Sequence, residues 1–188
     1  MILATHARSR PRPGEVENGD AVVVRHTARF SLVAVVDALG HGPVAAQVAG
    51  TAIAALTAAT LPLRPEEVLL HVHEALRGTR GAAATVVTLE DGVMRGCGVG
   101  NVEVRTPGRG SPVLLSRGVL GSSSVRLRPF DATLGRGERF AIFTDGLTRR
   151  LDLESVRELP LPDACDALFA RFAQELDDAT LLVGEVRA

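Results

Sequence analysis

The chain has 188 residues, a formal net charge of -1 at pH 7 and a hydrophobic content of 46%. This length is typical of one domain with its own core, so we expect a single domain over residues 1–188. A net charge this close to zero gives no reason to expect a nucleic acid or an acidic membrane as a partner. No stretch approaches the roughly 20 apolar residues of a membrane span, and the first residues do not resemble a signal peptide, which favours a cytoplasmic protein.

Cysteine usage agrees with that location. Cys97 and Cys165 are far apart in the sequence, and each has apolar or small neighbours. Their spacing is not that of a zinc site or a disulfide framework. We therefore expect two buried free thiols in a reducing compartment.

The first part of the chain predicts strands. Ile2 and Ala4 indicate a short edge strand, and an Arg- and Pro-rich loop follows over residues 8–14. The Val-rich runs Ala21–Arg25 and Phe30–Val36, with polar residues between them, predict two strands joined by a turn. The second run is apolar on both faces, which is typical of a strand in a buried layer.

Helical spacing of apolar residues follows. One helix is predicted to begin at Pro43, a residue suited to the first helical position, and to end before Pro62. A second is predicted from Pro65 to about Arg77, where Gly78 can end it. On this second helix His71 and His73 are two positions apart and point in different directions, so they are not expected to share a metal ion.

The remaining pattern is that of short strands and one helix. From Ala83 to Arg105 the period is two, with Asp91-Gly92 as a hairpin turn. Further elements are predicted as strands at Val113–Leu115, Val125–Leu127, Arg139–Thr144 and Thr180–Val186, and as a helix from Cys165 to Leu176. The sequence therefore predicts an α+β domain in which β-sheets stack and helices cover them.

Three aspartates lie at the ends of apolar strands. Asp37 and Asp145 each end such a run, and Asp177, with Asp178 beside it, immediately precedes another. A single Asp at such a place is readily explained as turn chemistry. Several at the rims of one small domain favour a site for hard divalent cations such as Mg²⁺ or Mn²⁺, and two such ions can share a carboxylate.

Six short motifs in order carry a resemblance to a known family. They are Asn18-Gly19-Asp20, Val36-Asp37-Ala38-Leu39-Gly40-His41-Gly42, Gly81-Ala82-Ala83-Ala84-Thr85, Gly98-Val99-Gly100-Asn101, Phe143-Thr144-Asp145-Gly146-Leu147 and Asp177-Asp178-Ala179-Thr180. The chain resembles the metal-dependent type 2C (PPM) protein phosphatases, in their SpoIIE-like branch, and is most similar to the small RsbX-type stress-response phosphatases.

This resemblance implies a central β-sandwich of two mainly antiparallel sheets flanked by helices. It implies a site for two divalent cations, Mn²⁺ or Mg²⁺, with Asp37 bridging both and the backbone carbonyl of Ala38 binding one. Asp145 and Asp177 would complete the other ion, and Asp20 would contact a metal or its water. These four aspartates are the catalytic set that the resemblance implies.

The chain also departs from the family's pattern. Ala38 stands where Gly is usual, which a carbonyl ligand tolerates if the backbone does not need a positive φ. Gly19 replaces a Glu of the eukaryote-like members, and Glu15 stands where they place a phosphate-binding Arg. Arg10 and Arg12 lie in the same loop but at other positions, so the residue that holds the phosphate stays open.

Two residues are accessory candidates. His41 could act as a general acid toward the leaving alkoxide or could cap the helix that begins at Pro43. Asp178 adjoins the predicted ligand Asp177.

The resemblance implies hydrolysis of phosphoserine or phosphothreonine on a STAS-domain protein of a sigma-factor partner-switching or stressosome pathway. The alternatives are a catalytically silent scaffold that binds a signalling partner, and a phosphatase for small molecules. We expect a monomer or a weak dimer.

Overall fold

The computed structural model describes residues 2–107 and 113–187, and within them the backbone forms nine strands and three α-helices. The strands are β1 (Ile2–Arg10), β2 (Asp20–His26), β3 (Phe30–Ala38), β4 (Ala82–Glu90), β5 (Val93–Val99), β6 (Glu103–Arg105), β7 (Pro129–Thr133), β8 (Arg139–Phe143) and β9 (Ala179–Arg187). The helices are α1 (Gly42–Ala58), α2 (Pro65–Ala75) and α3 (Leu161–Phe172), with a short 3₁₀ helix at Glu154–Val156.

The strands form two sheets. One has four strands in the order β1-β9-β8-β6, and the other has five in the order β2-β3-β4-β5-β7. Every ladder between these strands is antiparallel. The two sheets pack face to face through a shared apolar layer that includes Val33, Val35, Phe140, Ile142 and Leu182.

Helices cover both outer faces. Helices α1 and α2 bury Val48, Leu56 and Leu69 against the five-stranded sheet. Helix α3 buries Leu168 and Phe172 against the four-stranded sheet. The predicted α+β sandwich flanked by helices is confirmed.

Strand β3 shows why a run can be apolar on both faces. Its odd-numbered valines, Val33 and Val35, lie in the layer between the sheets. Leu32, Ala34 and Val36 alternate with them and lie in the cluster beneath α1 and α2. Because successive side chains of a strand point to opposite faces, a strand between two apolar layers needs both faces apolar.

Two predicted strands are wrong. Val113–Leu115 and Val125–Leu127 are irregular, and the strand beside β5 on the side away from β4 is β7, at Pro129–Thr133. Val125 and Leu127 instead pack on the apolar cluster beneath α1 and α2. The alternation of apolar and polar residues around Val125 and Leu127 therefore reflects burial of one side of an irregular segment, because none of the described strands pairs with it.

Two other elements differ in extent. The period-two pattern predicted to continue to Arg105 is interrupted at Gly100, whose φ of +91° is a turn conformation, and β6 then joins the other sheet beside β8. Helix α3 ends at Phe172, short of Leu176, which is 84% exposed. Leu176 has no apolar surface to cover, so its place in the helical period is coincidental.

The two thiols behave as expected. Cys97 and Cys165 are both buried and unpaired. Burial raises the pKa of Cys97 to about 11 and that of Cys165 to about 12, so both stay protonated at neutral pH. No helix in residues 2–107 and 113–187 is long and apolar enough to cross a membrane.

Candidate active site

Two aspartates meet at one end of the five-stranded sheet. Asp20 is the first residue of β2, and in the antiparallel register it is paired with Asp37 of β3. Directly opposite residues of an antiparallel pair carry their side chains on the same face, with Cβ atoms about 5 Å apart. The sequence motifs that hold these residues are therefore joined by strand pairing.

The four-stranded sheet brings two more aspartates to the same place. Asp145 comes two residues after the end of β8, and Asp177 comes two residues before β9, which is antiparallel to β8. The end of one strand and the start of its antiparallel neighbour share a sheet edge. The hydroxyl of Thr144 donates a 2.7 Å hydrogen bond to Oδ2 of Asp20, which ties this edge to the other sheet.

The pKa values of the two paired aspartates are raised. Burial raises the pKa of Asp20 from 3.8 to about 7, although hydrogen bonds from Thr144 and Thr180 oppose the rise. Burial, and then the negative charges of Asp20 and Asp145, raise the pKa of Asp37 from 3.8 to about 8. Burial and nearby negative charge thus disfavour the ionised form of each carboxylate, and a bound cation would favour it.

Asn101 is a site residue that the sequence analysis did not assign. Its Nδ2 donates a 2.6 Å hydrogen bond to Oδ2 of Asp145, and its hydrogen bond to Asp37 lowers the pKa of that carboxyl. The available signal was its place after the Gly98-Val99-Gly100 turn, one of the motifs shared with the family. An amide that donates to two carboxylates fixes their relative positions.

These groups border an open cleft of about 330 Å³. It is lined by Arg12, Asp37, Leu39, Gly40, His41, Ala83, Asn101, Asp145 and Asp177. Asp145 and Asp177 are exposed, whereas Asp20 is 7% exposed and lies behind the rim. The predicted residues are therefore brought together, with Asp20 as the inner member.

The donor set fits a hard divalent cation. Within residues 2–107 and 113–187, no group of three or more His, Cys, Asp or Glu side chains has the geometry of a preformed metal site. Burial and neighbouring carboxylates nevertheless raise the pKa values of Asp20 and Asp37, and a divalent cation would offset that unfavourable environment. Oxygen ligands without sulfur are those that Mg²⁺ and Mn²⁺ prefer.

Ala38 keeps an ordinary backbone. It is the last residue of β3, and its N–H donates to the carbonyl of Gly19 at 3.1 Å. Among the described residues other than glycine, a positive φ occurs only at Asp91. The exchange of Gly for Ala at this position therefore causes no backbone strain.

Asp178 holds the loop between β1 and β2. Its Oδ1 accepts the backbone N–H of Arg12 at 2.8 Å, and its Oδ2 accepts that of Gly19 at 2.9 Å. The side chain is buried, so these two bonds satisfy a carboxylate that would otherwise be costly. Asp178 thus connects the start of β9 to the loop that carries Arg12 and leads to Asp20.

His41 pairs with Glu15 and does not cap the helix. It occupies the N-cap position of α1, but its side chain makes no cap hydrogen bond. Its Nδ1 lies 2.7 Å from Oε1 of Glu15. The capping interpretation is therefore wrong, and the residue at the position of the family's phosphate-binding Arg contacts His41.

Arg10 and Arg12 have different surroundings. The guanidinium of Arg10 donates to the carbonyls of Pro11 and Gln174, so it is engaged in holding its own loop. Arg12 lines the cleft, and within the described residues its guanidinium has no hydrogen-bond or ion-pair partner. Of the two, Arg12 is the one placed to meet an anion beside the aspartates.

Comparison with known proteins gives one family match. The family model for stage II sporulation protein E (SpoIIE) matches residues 29–187. No curated protein matches the chain.

Solved structures share the fold over nearly the whole chain. A protein from a study of the bacterial stressosome, as a modular system adapted to control secondary messenger signaling, is 26% identical, with a TM-score of 0.88 over 98% of this chain and 100% of that one. RsbX in complex with magnesium is 23% identical, with a TM-score of 0.85 over 97% and 94%. The PP2C phosphatase domain of SpoIIE from Bacillus subtilis is 16% identical, with a TM-score of 0.78 over 99% of this chain and 64% of that one.

Proposed function

The chain belongs to the SpoIIE family of PP2C-type serine/threonine phosphatases, and from this premise we propose that it dephosphorylates a STAS-domain protein of a partner-switching or stressosome pathway. The observation that carries the catalytic part is the cross-strand pair Asp20–Asp37, set beside Asp145 and Asp177 at one open cleft. The target class is suggested by similarity to a stressosome-related protein and to a structure containing RsbU and RsbW domains of Mycobacterium tuberculosis Rv1364c.

The family is metal-dependent, and RsbX, a structural neighbour, was solved with magnesium. We propose that two Mn²⁺ or Mg²⁺ ions are held by Asp20, Asp37, the carbonyl of Ala38, Asp145 and Asp177. When bound, such ions supply Lewis acidity toward water and toward the phosphoryl oxygens. The aspartates supply the negative charge that retains them.

The cross-strand pair Asp20–Asp37 gives the proposed site its fixed part. Asp37 and Asp20 are kept in place by strand pairing, and Thr144 holds Oδ2 of Asp20. Rigid strands position ligands more precisely than loops do, and precise placement is what catalysis needs. Asn101 likewise holds the carboxylate of Asp145 through a hydrogen bond, since this exposed group would otherwise be free to rotate.

Arg12 is proposed to hold the phosphate. Its unengaged guanidinium lines the cleft, and planar Arg donors match phosphate oxygens. Asp178 fixes the backbone at Arg12, so the arginine starts from a defined position. In this way Arg12 takes over the role that the family's arginine has at the position of Glu15.

His41 is proposed to give a proton to the leaving serine or threonine oxygen. Glu15 accepts the hydrogen bond at Nδ1, which leaves Nε2 to carry the proton toward the cleft. A general acid of this kind matters most when the leaving group is a poor one, such as an alkoxide.

The shape and composition of the site favour a protein over a metabolite. The cleft is open, and the chain has no Tyr, Trp or Lys with which to enclose a nucleotide or sugar. A folded partner supplies contact area of its own. Substrate choice is therefore proposed to depend on surface outside the cleft.

The test compares three substrates with Mn²⁺: an intact phosphorylated STAS-domain protein, a short phosphopeptide cut from it, and p-nitrophenyl phosphate. We expect kcat/KM to be far higher on the intact protein than on the other two. Equal values for protein and phosphopeptide would contradict recognition of a folded partner. Absence of turnover on all three would favour the silent scaffold, and preference for a metabolite would favour the small-molecule phosphatase.

A further inference from the structure

A second cleft lies beyond β5, at the edge of the five-stranded sheet. It has a volume of about 360 Å³ and is lined by Leu114, Leu115, Ser116, Arg117, Arg126 and Arg128. Ser116 borders it because its backbone pairs with the end of β5, through bonds of 2.9 and 3.0 Å to Gly100 and Gly98. We call the surface formed by these six lining residues the arginine cleft.

The arginine cleft has an unbalanced positive charge. Within the described residues, Arg117, Arg126 and Arg128 have exposed side chains with no ion pair, and no acidic residue lines the cleft. Three cations that face one cleft repel one another unless an anion enters it. Because the net charge of the whole chain is -1, the positive charge of this cleft is a property of the cleft and not of the protein surface in general.

A buried polar group without a partner borders the same cleft. Ser116 is 5% exposed, and its Oγ makes no hydrogen bond among the described residues. A buried hydroxyl without a partner is destabilising. The Oγ itself has almost no exposed surface, so the three arginines are the groups that a ligand in the cleft can reach.

We infer that the arginine cleft binds an acidic segment of the phosphoprotein substrate, a segment in which Asp or Glu side chains adjoin an apolar residue. This inference rests on the proposed function. Leu114 is 84% exposed at the rim and offers an apolar contact beside the three cations. Single-stranded nucleic acids bind largely by stacking on aromatic side chains, and none of the six residues that line the cleft is aromatic.

The arginine cleft is joined to the active-site cleft by a short piece of backbone. The backbone of Ser116 pairs with Gly98 and Gly100. Asn101, which follows Gly100 in the sequence, lines the active-site cleft and donates a hydrogen bond to Asp145. A substrate with its phosphate beside Asp145 can therefore reach both places. Because the active-site rim is acidic, attraction of an acidic partner must come from another surface, and the arginines supply it.

The direct test measures binding of a fluorescein-labelled, unphosphorylated peptide of Glu and Leu residues by anisotropy. The double variant Arg117→Glu/Arg126→Glu reverses the charge of the cleft. Its matched control is Arg29→Glu/Arg136→Glu, two exposed arginines without partners among the described residues and with the same total charge change. We expect wild type and control to bind equally, and the cleft variant to bind about tenfold more weakly.

Unchanged peptide binding in the cleft variant would overturn the inference, as would tighter binding of single-stranded DNA than of the peptide. Kinetics separate the inference from the proposed function. On the phosphorylated STAS-domain protein we expect the cleft variant to raise KM about tenfold with kcat unchanged, and its turnover of p-nitrophenyl phosphate to match the control. If the wild type binds the peptide through the cleft but cleaves no phosphoprotein, the proposed function fails and the docking surface remains.

Discussion

Asp20 and Asp37 are direct partners across the antiparallel pair β2–β3, and both carboxyl groups have pKa values near or above neutrality. This arrangement lowers the stability of the fold, because the buried Asp20 and the partly buried Asp37 lie on one face and repel each other when ionised. Repulsion between like charges that lowers stability is typical of a functional site, and at this site a bound cation would offset it.

Replacing Asp37 should abolish activity without unfolding the protein. Asp37 has the proposed bridging position, so Asp37→Ala would weaken the binding of both ions. We expect kcat/KM to fall at least about a hundredfold at saturating Mn²⁺, in line with losses at other metal sites. The control is Asp163→Ala, an exposed acid in the first turn of α3.

Circular dichroism would establish that the Asp37→Ala variant is folded. Near wild-type turnover in that variant would contradict the dinuclear assignment.

In EDTA, stability should fall as pH rises from about 4 to about 8. Folded-state pKa values of about 7 and about 8 for Asp20 and Asp37 lie above the ordinary 3.8, so the folded protein binds more protons than the unfolded chain in this window. A proton-binding excess in the folded state makes the free energy of unfolding decrease with increasing pH. Thermal melts across the window measure the slope.

Two comparisons sharpen this measurement. Asp37→Asn removes one of the titrating groups, so its melting temperature in EDTA should depend less on pH than that of wild type. Added Mn²⁺ should raise the melting temperature most at high pH, where the carboxylates are ionised.

EDTA should abolish activity yet leave the protein folded, since the apolar core does not depend on metal. Unfolding on chelation at pH 6 would contradict this account.

Replacing His41 should affect substrates unequally. In His41→Gln the proposed proton donor is lost, so turnover of a phosphoserine protein should fall about a hundredfold, whereas p-nitrophenyl phosphate, with its better leaving group, should lose far less. Glu15→Gln should show a smaller effect of the same kind, because Glu15 only orients the ring. His71→Gln, an exposed change on α2, is the control.

Equal losses on both substrates would show that His41 acts in binding or positioning and transfers no proton.

The sequence was most informative where residue type and structural period agree. The places of Asp37, Asp145 and Asp177 at the ends of apolar runs indicate the site, the family motifs add Asp20, and strand pairing brings Asp20 opposite Asp37. The sandwich followed from runs such as Phe30–Val36, where both faces are apolar. Such patterns reflect the layer in which a strand lies, and layers determine the fold.

The sequence is least informative over residues 113–127. Alternating Val125 and Leu127 suggested a strand, but one-sided burial gives an irregular segment the same pattern. Asn101 was missed because its role depends on two carboxylates that are distant in sequence. Whether Arg10 or Arg12 faces the cleft is decided by hydrogen bonds of the loop, which local sequence does not specify.

Replacing Arg12 should weaken phosphate binding. Arg12→Ala is expected to raise KM about tenfold for p-nitrophenyl phosphate and for the phosphoprotein alike, because both present the same phosphate to the cleft. Arg12→Lys should recover part of the loss by retaining charge without the planar donors. A change confined to the phosphoprotein would place Arg12 in partner recognition.

Asp178 should act on catalysis through the loop that it holds. Asp178→Ala leaves the backbone N–H groups of Arg12 and Gly19 without their acceptor, at a cost of about 1–3 kcal/mol for the buried group of Gly19 and less for the partly buried group of Arg12. We therefore expect a lower urea midpoint together with a higher KM, since the loop carries the proposed phosphate ligand. The control is Glu175→Gln, an exposed acid nearby that makes no hydrogen bond or ion pair among the described residues.

A positioning role and a metal-binding role for Asp178 give different results with Mn²⁺. If Asp178 only holds the loop, the Mn²⁺ concentration for half-maximal activity stays within about twofold of wild type while KM rises, because its two oxygens already accept backbone N–H groups. If it also binds an ion, that concentration should increase about tenfold or more, as is found when metal-site groups are lost. Asp178→Asn adds a second comparison, since its amide oxygen can still accept one of the two N–H groups while its NH₂ group faces the other. If KM in Asp178→Asn returns to the wild-type value but stability does not, the rise of KM in Asp178→Ala is due mainly to loss of the hydrogen bond from the N–H of Arg12.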